Sequence, residues 1–304
     1  MNPVKQGWDT PTSQLPEEAE HMPARSIITA RQERLGAELR KLRERAGLTG
    51  REAARTAGIA ETKVSAMEAA RVGVSAERVR HLASQYACDD AALVNALAAM
   101  ATERGVGWWE EYRGLVPAGY LEMAELEEHT TYLRTFQSAH IPGLLQTEAQ
   151  VRALLTPSVP KLSDEELERR VKFRIARQRF FDGTPPAPYE AVVHEAALRI
   201  RAGDRKVARD QLLHILDRAE LPHVTVRVVP FGVDGFAGIN HPMLYAGSAH
   251  PQLDTVYLDT PHGGEFVHAE AQLSRCRGVL GMVEHAALGV LESKDFIHSL
   301  VQSM

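Results

Sequence analysis

The sequence predicts an α+β protein: an all-α, five-helix head, then a larger α+β body with a mostly antiparallel sheet. Three observations carry that prediction. Between residues 33 and 101, apolar side chains recur at helical spacing and are interrupted by capping residues. Further on, residues 224–229 form an unbroken β-type run, and shorter strand candidates at 243–246, 255–258 and 265–268 follow with no helix between them. The 304 residues, 44 % hydrophobic and 25 % charged, supply core material for about two domains and exclude a disordered or disulfide-stapled chain.

Residues 1–30 hold Pro3, Pro11, Pro16 and Pro23 among polar neighbours, without a sustained apolar period, and read as a disordered tail. The head covers residues 31–101. Its first helix sets Leu35, Leu39 and Leu42 on one face and stops at Ala46-Gly47, with Gly47 suited to a left-handed position. Thr49 and Glu52 make a capping-box pattern that opens a very short second helix through Ala53, Ala54 and Ala57, which Gly58-Ile59 then breaks. A third helix, about 61–70, turns Val64 and Met67 inward and Glu61, Thr62, Lys63 and Ser65 outward. The fourth follows Ser75 as N-cap and buries Val79, Leu82 and Tyr86. The fifth follows Asp89 and buries Leu93, Leu97 and Met100.

The body covers residues 102–304. Trp108, Trp109 and Tyr112, next to an acidic run over 110–128, suit either an interface-forming segment or a connecting helix packed on its own domain. Residues 126–155 read as helix, turn at Ile141-Pro142-Gly143, helix. Residues 163–181 read as a charged amphipathic helix led by Ser163, Asp164, Glu165 and Glu166. A strand at 189–194, helices at 195–201 and 205–219, the strand at 224–229 and the short candidates follow. A helical stretch over 269–301, broken near Gly289, ends the chain.

The net charge of −5 is unevenly spread. Residues 31–100 hold 12 basic and 9 acidic side chains, which leaves −8 for the rest. The chain thus splits into a mildly basic head and an acidic body. Cys88 and Cys276 lie outside any CxxC spacing, which fits a reducing compartment and argues against a cysteine-based zinc site. No run approaches the roughly 18 apolar residues of a membrane span, and no signal-peptide pattern opens the chain, so the expected location is cytoplasmic, without membrane contact.

A helix-turn-helix needs a small residue on its first helix, a glycine where the chain reverses, and apolar residues on the inner face of its second. Counted from Gly50, Ala54, Gly58, Ile59, Val64 and Met67 stand at positions 5, 9, 10, 15 and 18 and meet each requirement. The stretch Leu39-Arg40-Lys41-Leu42-Arg43-Glu44-Arg45-Ala46-Gly47-Leu48-Thr49 resembles the first helix and turn of the lambda-repressor/Cro-like (xenobiotic-response-element) helix-turn-helix family. Ser65-Ala66-Met67-Glu68 is similar to the end of that family's recognition helix. The resemblance implies a lambda-repressor-like DNA-binding head whose base-reading positions are Glu61, Thr62, Lys63, Ser65 and Ala66. Arg40, Lys41, Arg43, Arg51, Arg55 and Arg71 surround the third helix in sequence and are candidates for phosphate contacts. Two positions depart from the family pattern: Gly50 stands where a glutamine usually opens the second helix, and Ala69-Ala70 follow Glu68 where a glycine is common.

The body carries a second resemblance. Phe136-Gln137-Ser138-Ala139-His140-Ile141-Pro142-Gly143-Leu144-Leu145-Gln146-Thr147, Arg174-Ile175-Ala176-Arg177-Gln178, Glu195-Ala196-Ala197-Leu198-Arg199 and Val224-Thr225-Val226-Arg227-Val228-Val229-Pro230-Phe231 resemble the C-terminal domain of actinobacterial WhiJ-like, antitoxin-like regulators. That implies a transcriptional regulator of double-stranded, pseudo-palindromic DNA, working as a homodimer and controlled through the body by a small partner protein or a small-molecule effector. An antitoxin-like protein that sequesters a small partner, with DNA binding secondary, is the alternative it implies.

Catalytic and metal chemistry find no constellation. Of 13 histidines, His241, His250, His262, His268 and His285 stand near Asp254, Asp259, Glu265 and Glu270, yet none has HExxH or i, i+4 pairing. The glycines of residues 231–238 match no phosphate-binding loop, and no nucleophile elbow occurs. The expectation is a protein that is not an enzyme and uses no cofactor.

Overall fold

The computed structural model describes residues 28–103, 107–234, 236, 242–260 and 263–304. The expected tail therefore lies, over residues 1–27, outside the described residues. Thr29 already belongs to the head: its hydroxyl accepts from the Gln32 N–H while the Gln32 side chain accepts from the Thr29 N–H, and this capping box opens α1 (Ala30–Arg45). The Thr49–Glu52 box opens α2 (Gly50–Ala57), which Gly58 ends at φ 66°, a left-handed conformation that only glycine adopts without a steric penalty. After it come α3 (Glu61–Glu68), α4 (Ala76–Gln85), capped by Ser75, and α5 (Ala91–Thr102). Asp90 rather than Asp89 caps α5, since it is the Asp90 carboxylate that reaches the Leu93 N–H, at 2.9 Å. Leu35, Leu39, Val64, Met67, Leu82 and Leu97 meet in one core, as the periodicity requires.

In the body, Trp108–Tyr112 is a 3-10 turn that packs on Phe173, so the aromatic segment serves its own domain. The remaining elements are α6 (Ala118–Glu128), β1 (Tyr132–Gln137), α7 (Glu148–Leu155), α8 (Asp164–Ala176), β2 (Tyr189–His194), α9 (Glu195–Arg199), α10 (Arg205–Arg218), β3 (Val224–Val229), β4 (Met243–Gly247), β5 (Thr255–Thr260), β6 (Gly263–Val267), α11 (Glu270–Ala286) and α12 (Val290–Ser303). The strands form one sheet in the order β3-β2-β1-β4-β5-β6. The three pairings β1–β4, β4–β5 and β5–β6 are antiparallel; β1–β2 and β2–β3 are parallel, because helices carry the chain back between them.

β1 corrects the helical reading of residues 126–155. Leu133 and Phe136 are three apart and imitate a helix face, yet they point to opposite sides of the sheet and both are buried. On Leu133's side, Ala191, Val193, Val226 and Val228 pack under α10 and α12. On Phe136's side, Tyr245 and Val256 pack under α11. The β3 edge is covered: the Val228 N–H donates to Ser293 Oγ (3.0 Å), the Leu288 N–H donates to the Val228 carbonyl (2.9 Å), and Arg227 donates to the carbonyls of Ala287 and Leu288.

Head and body are joined by more than the chain. The turn Pro251–Leu253 inserts Leu253 into the head's own core. Gln252 donates to the Glu38 carboxylate at 2.6 Å, and its side-chain oxygen accepts from Arg45 at 3.2 Å. Glu38, fully buried, also accepts from Lys41 at 2.7 Å and lies 3.0 Å from Arg34. His250 reaches Asp90 at 3.1 Å. Burial pushes the Glu38 carboxyl up, but its hydrogen bonds from Lys41 and Gln252 and the Arg34 charge outweigh that, so its pKa falls below the ordinary value.

Candidate nucleic-acid interface

The helix-turn-helix is held by its inner side. Val64 and Met67 of α3 are buried, and α3 lies directly against α1, because position 36 is glycine: a Cβ there would come within 2.5 Å of the Glu68 carbonyl oxygen and 2.9 Å of that of Met67. Arg43 clamps the end of α3. Its Nε and Nη2 donate to the two Glu68 oxygens at 2.6 and 2.9 Å, and Nη1 donates to the Leu48 carbonyl at 2.7 Å. The Glu68 hydrogen bonds raise the Arg43 guanidinium above its ordinary pKa.

The outer side is open. Glu61, Thr62, Lys63 and Ser65 are exposed, and Ala66 is half-buried. Arg51, Arg55 and Arg71 are exposed beside them, with Arg51 Nε 3.6 Å from a Glu61 oxygen. Arg40 is exposed and paired with Glu44 at 2.8 Å along its own helix. Two phosphate candidates already have partners within the head: Arg43 is buried, with its guanidinium turned onto Glu68, and the partly exposed Lys41 ammonium lies 2.7 Å from Glu38.

The two departures from the family pattern acquire a geometry. Gly50 is the first residue of α2, and a side chain there meets only Glu61, at 3.8 Å, so a longer residue fits. Ala70 sits at φ 55°, the left-handed conformation that explains why glycine suits this position. Among the described residues no group of three His, Cys, Asp or Glu side chains could hold a metal, and His241 and His262 lie outside those residues. His268 is within 3.2 Å of Thr255 Oγ1, and burial pushes its pKa down to about 4, helped by Arg34 and Lys41.

Gly36, Glu38, Gln252 and Leu253 were not singled out in the sequence. Glu38 carried a signal, since it falls between Leu35 and Leu42 on the apolar side of the first helix. The reach of Leu253 into the head carries none, because it depends on tertiary docking.

Residues 34–97 match a helix-turn-helix domain, the mark of a DNA-binding regulator. Residues 120–299 match a family described as a domain of unknown function, DUF5753. No curated protein and no solved structure matches the chain. Among the described residues no helix is long and apolar enough to cross a membrane. With most of its length matched from α6 into α12 and a DNA-binding head in front, the chain belongs to the DUF5753 family.

Proposed function

We propose that this protein is a cytoplasmic, sequence-specific transcriptional regulator of the lambda-repressor-like type that lays α3 in the major groove. The observation that supports it best is the outward row Glu61, Thr62, Lys63 and Ser65 on a helix whose inner face and C-terminal end are fixed. The Glu61 carboxylate can accept from cytosine N4, the Thr62 methyl can meet a thymine methyl, and Lys63 can donate to guanine acceptors. Arg51, Arg55 and Arg71 supply phosphate contacts that set register. Two copies on a pseudo-palindromic site place their recognition helices about one DNA turn apart. In this reading the body performs no catalysis; it alters DNA affinity when it receives a ligand or a small partner protein.

The test is selection of genomic DNA fragments by the full-length protein at fixed salt, beside the variant Thr62→Ala/Lys63→Ala. The expected result is a motif with two half-sites, lost in the variant while its thermal unfolding stays unchanged, since both side chains are exposed. Unaltered selectivity in the variant would refute the assignment of α3. No enriched fragment at any salt, together with a tightly co-purifying small protein, would overturn the regulator in favour of a partner-sequestering role.

A further inference from the structure

A cavity of about 330 Å3 lies in the body, away from the head. Thr135, Leu244 and Tyr257, cross-strand neighbours on β1, β4 and β5, line it from the sheet. Tyr120 and Met123 of α6, Arg174 of α8 and the loop 140–146 line it from the other side. The volume falls within the range of small-molecule sites, and the lining mixes apolar surface with a few polar groups, as such sites do.

Two guanidinium groups, Arg174 in the last turn of α8 and Arg177 just past its end, differ in their partners. Arg177 is neutralised by the buried Glu127, with Nε and Nη2 donating to its two oxygens at 2.8 and 2.5 Å. Among the described residues Arg174 has no carboxylate within ion-pair distance. Its hydrogen bond goes to the Tyr120 hydroxyl at a long 3.3 Å, its guanidinium carbon is 5.6 Å from that ring's centre, and its Nε is buried without an acceptor. Gln146, 3 % exposed, gives its NH2 to the Ile141 carbonyl and leaves Oε1 buried and unpaired. The Arg174 Nε is a donor, costly to bury unless an acceptor such as a carboxylate oxygen completes it, whereas Gln146 Oε1 calls for a donor and is not completed by a carboxylate.

We propose that this cavity binds a small organic monocarboxylate, with the carboxylate on Arg174 and an apolar body against Met123, Leu144, Met243 and Leu244. One guanidinium without an ion-pair partner suits a single negative charge, and Asp259 on the same lining opposes a dianion such as phosphate about twice as strongly as it opposes a monocarboxylate. The inference deepens the reading of the body as a sensor and rests on it for its purpose, but not for the binding itself.

Binding is measured on the full-length protein by thermal shift and calorimetric titration with hexanoate, phenylacetate and naphthylacetate, using phenylacetamide as the uncharged control. At least one acid should bind saturably and raise the unfolding temperature, and the amide should not. Arg174→Gln should weaken binding at least tenfold, Arg174→Lys should restore part of it, and Arg169→Gln, on the same helix and paired with Glu165, should behave as wild type. The proposal is overturned if none of the acids binds saturably, if the amide binds as well as its acid, or if Arg174→Gln and Arg174→Lys both bind as wild type does. An acid that binds through Arg174 yet leaves DNA affinity unchanged would uphold the site and refute ligand control of the head.

Discussion

At position 36 a hydrogen atom in place of a methyl group decides how closely α1 and α3 approach. The atoms a Cβ would meet are backbone oxygens at the end of α3, which cannot rotate aside as a flexible side chain would. Gly36→Ala should therefore destabilise the protein by about 1–3 kcal/mol, the usual cost of overpacking, as read by denaturant unfolding. The sequence marks the apolar face of α1 through Leu35, Leu39 and Leu42 but gives no sign that the glycine among them matters, since a lone glycine in a helical pattern reads only as a weak point. Position 70 is the opposite case. The expectation of glycine there comes from a pattern, and φ 55° at Ala70 supplies its physical reason.

The elements of the head were legible because their boundaries are written locally. Thr49 with Glu52, Ser75 and Gly58 each act within a few residues of themselves, and each caps or ends a helix as its chemistry demands. β1 was not legible, because a strand covered on both faces loses its alternation, and its Leu133 and Phe136 can be fitted to either period. The outward face of α3 could be listed from the spacing of Val64 and Met67, whereas the partners of the surrounding basic residues could not. Arg40 and Arg43 are alike in sequence, yet the first pairs with Glu44 on an exposed face and the second is buried on Glu68. Arg43→Ala leaves the Glu68 carboxylate half-buried without its bidentate partner and should cost about 2 kcal/mol, whereas Arg40→Ala should leave unfolding unchanged. If Arg43 contacted phosphate instead, its removal would lower the salt dependence of DNA binding and spare stability.

On the scale of the whole molecule, the head and body share a polar seam built from Arg34, Glu38, Lys41, Gln252 and, nearby, His268. His268 titrates near 4 in the folded protein against an ordinary value of 6.5. Between those limits the unfolded chain binds a proton that the folded chain refuses, so stability falls as pH drops from 6.5 to 4 and is unaffected by this group above that window. The contribution amounts to at most about 3 kcal/mol. In His268→Asn the acid-side fall of the unfolding temperature should be smaller than in wild type; an identical fall would show that the seam tolerates the charged ring. Leu253 has a different consequence, one of timing. Synthesis proceeds from the amino terminus, so all five head helices leave the ribosome well before residue 253 does. Until that leucine arrives the head has an unfilled interior and Glu38 lacks Gln252. A nascent or prematurely terminated chain that stops short of residue 253 is thus a weakened product, and interrupted translation does not release a head of full stability.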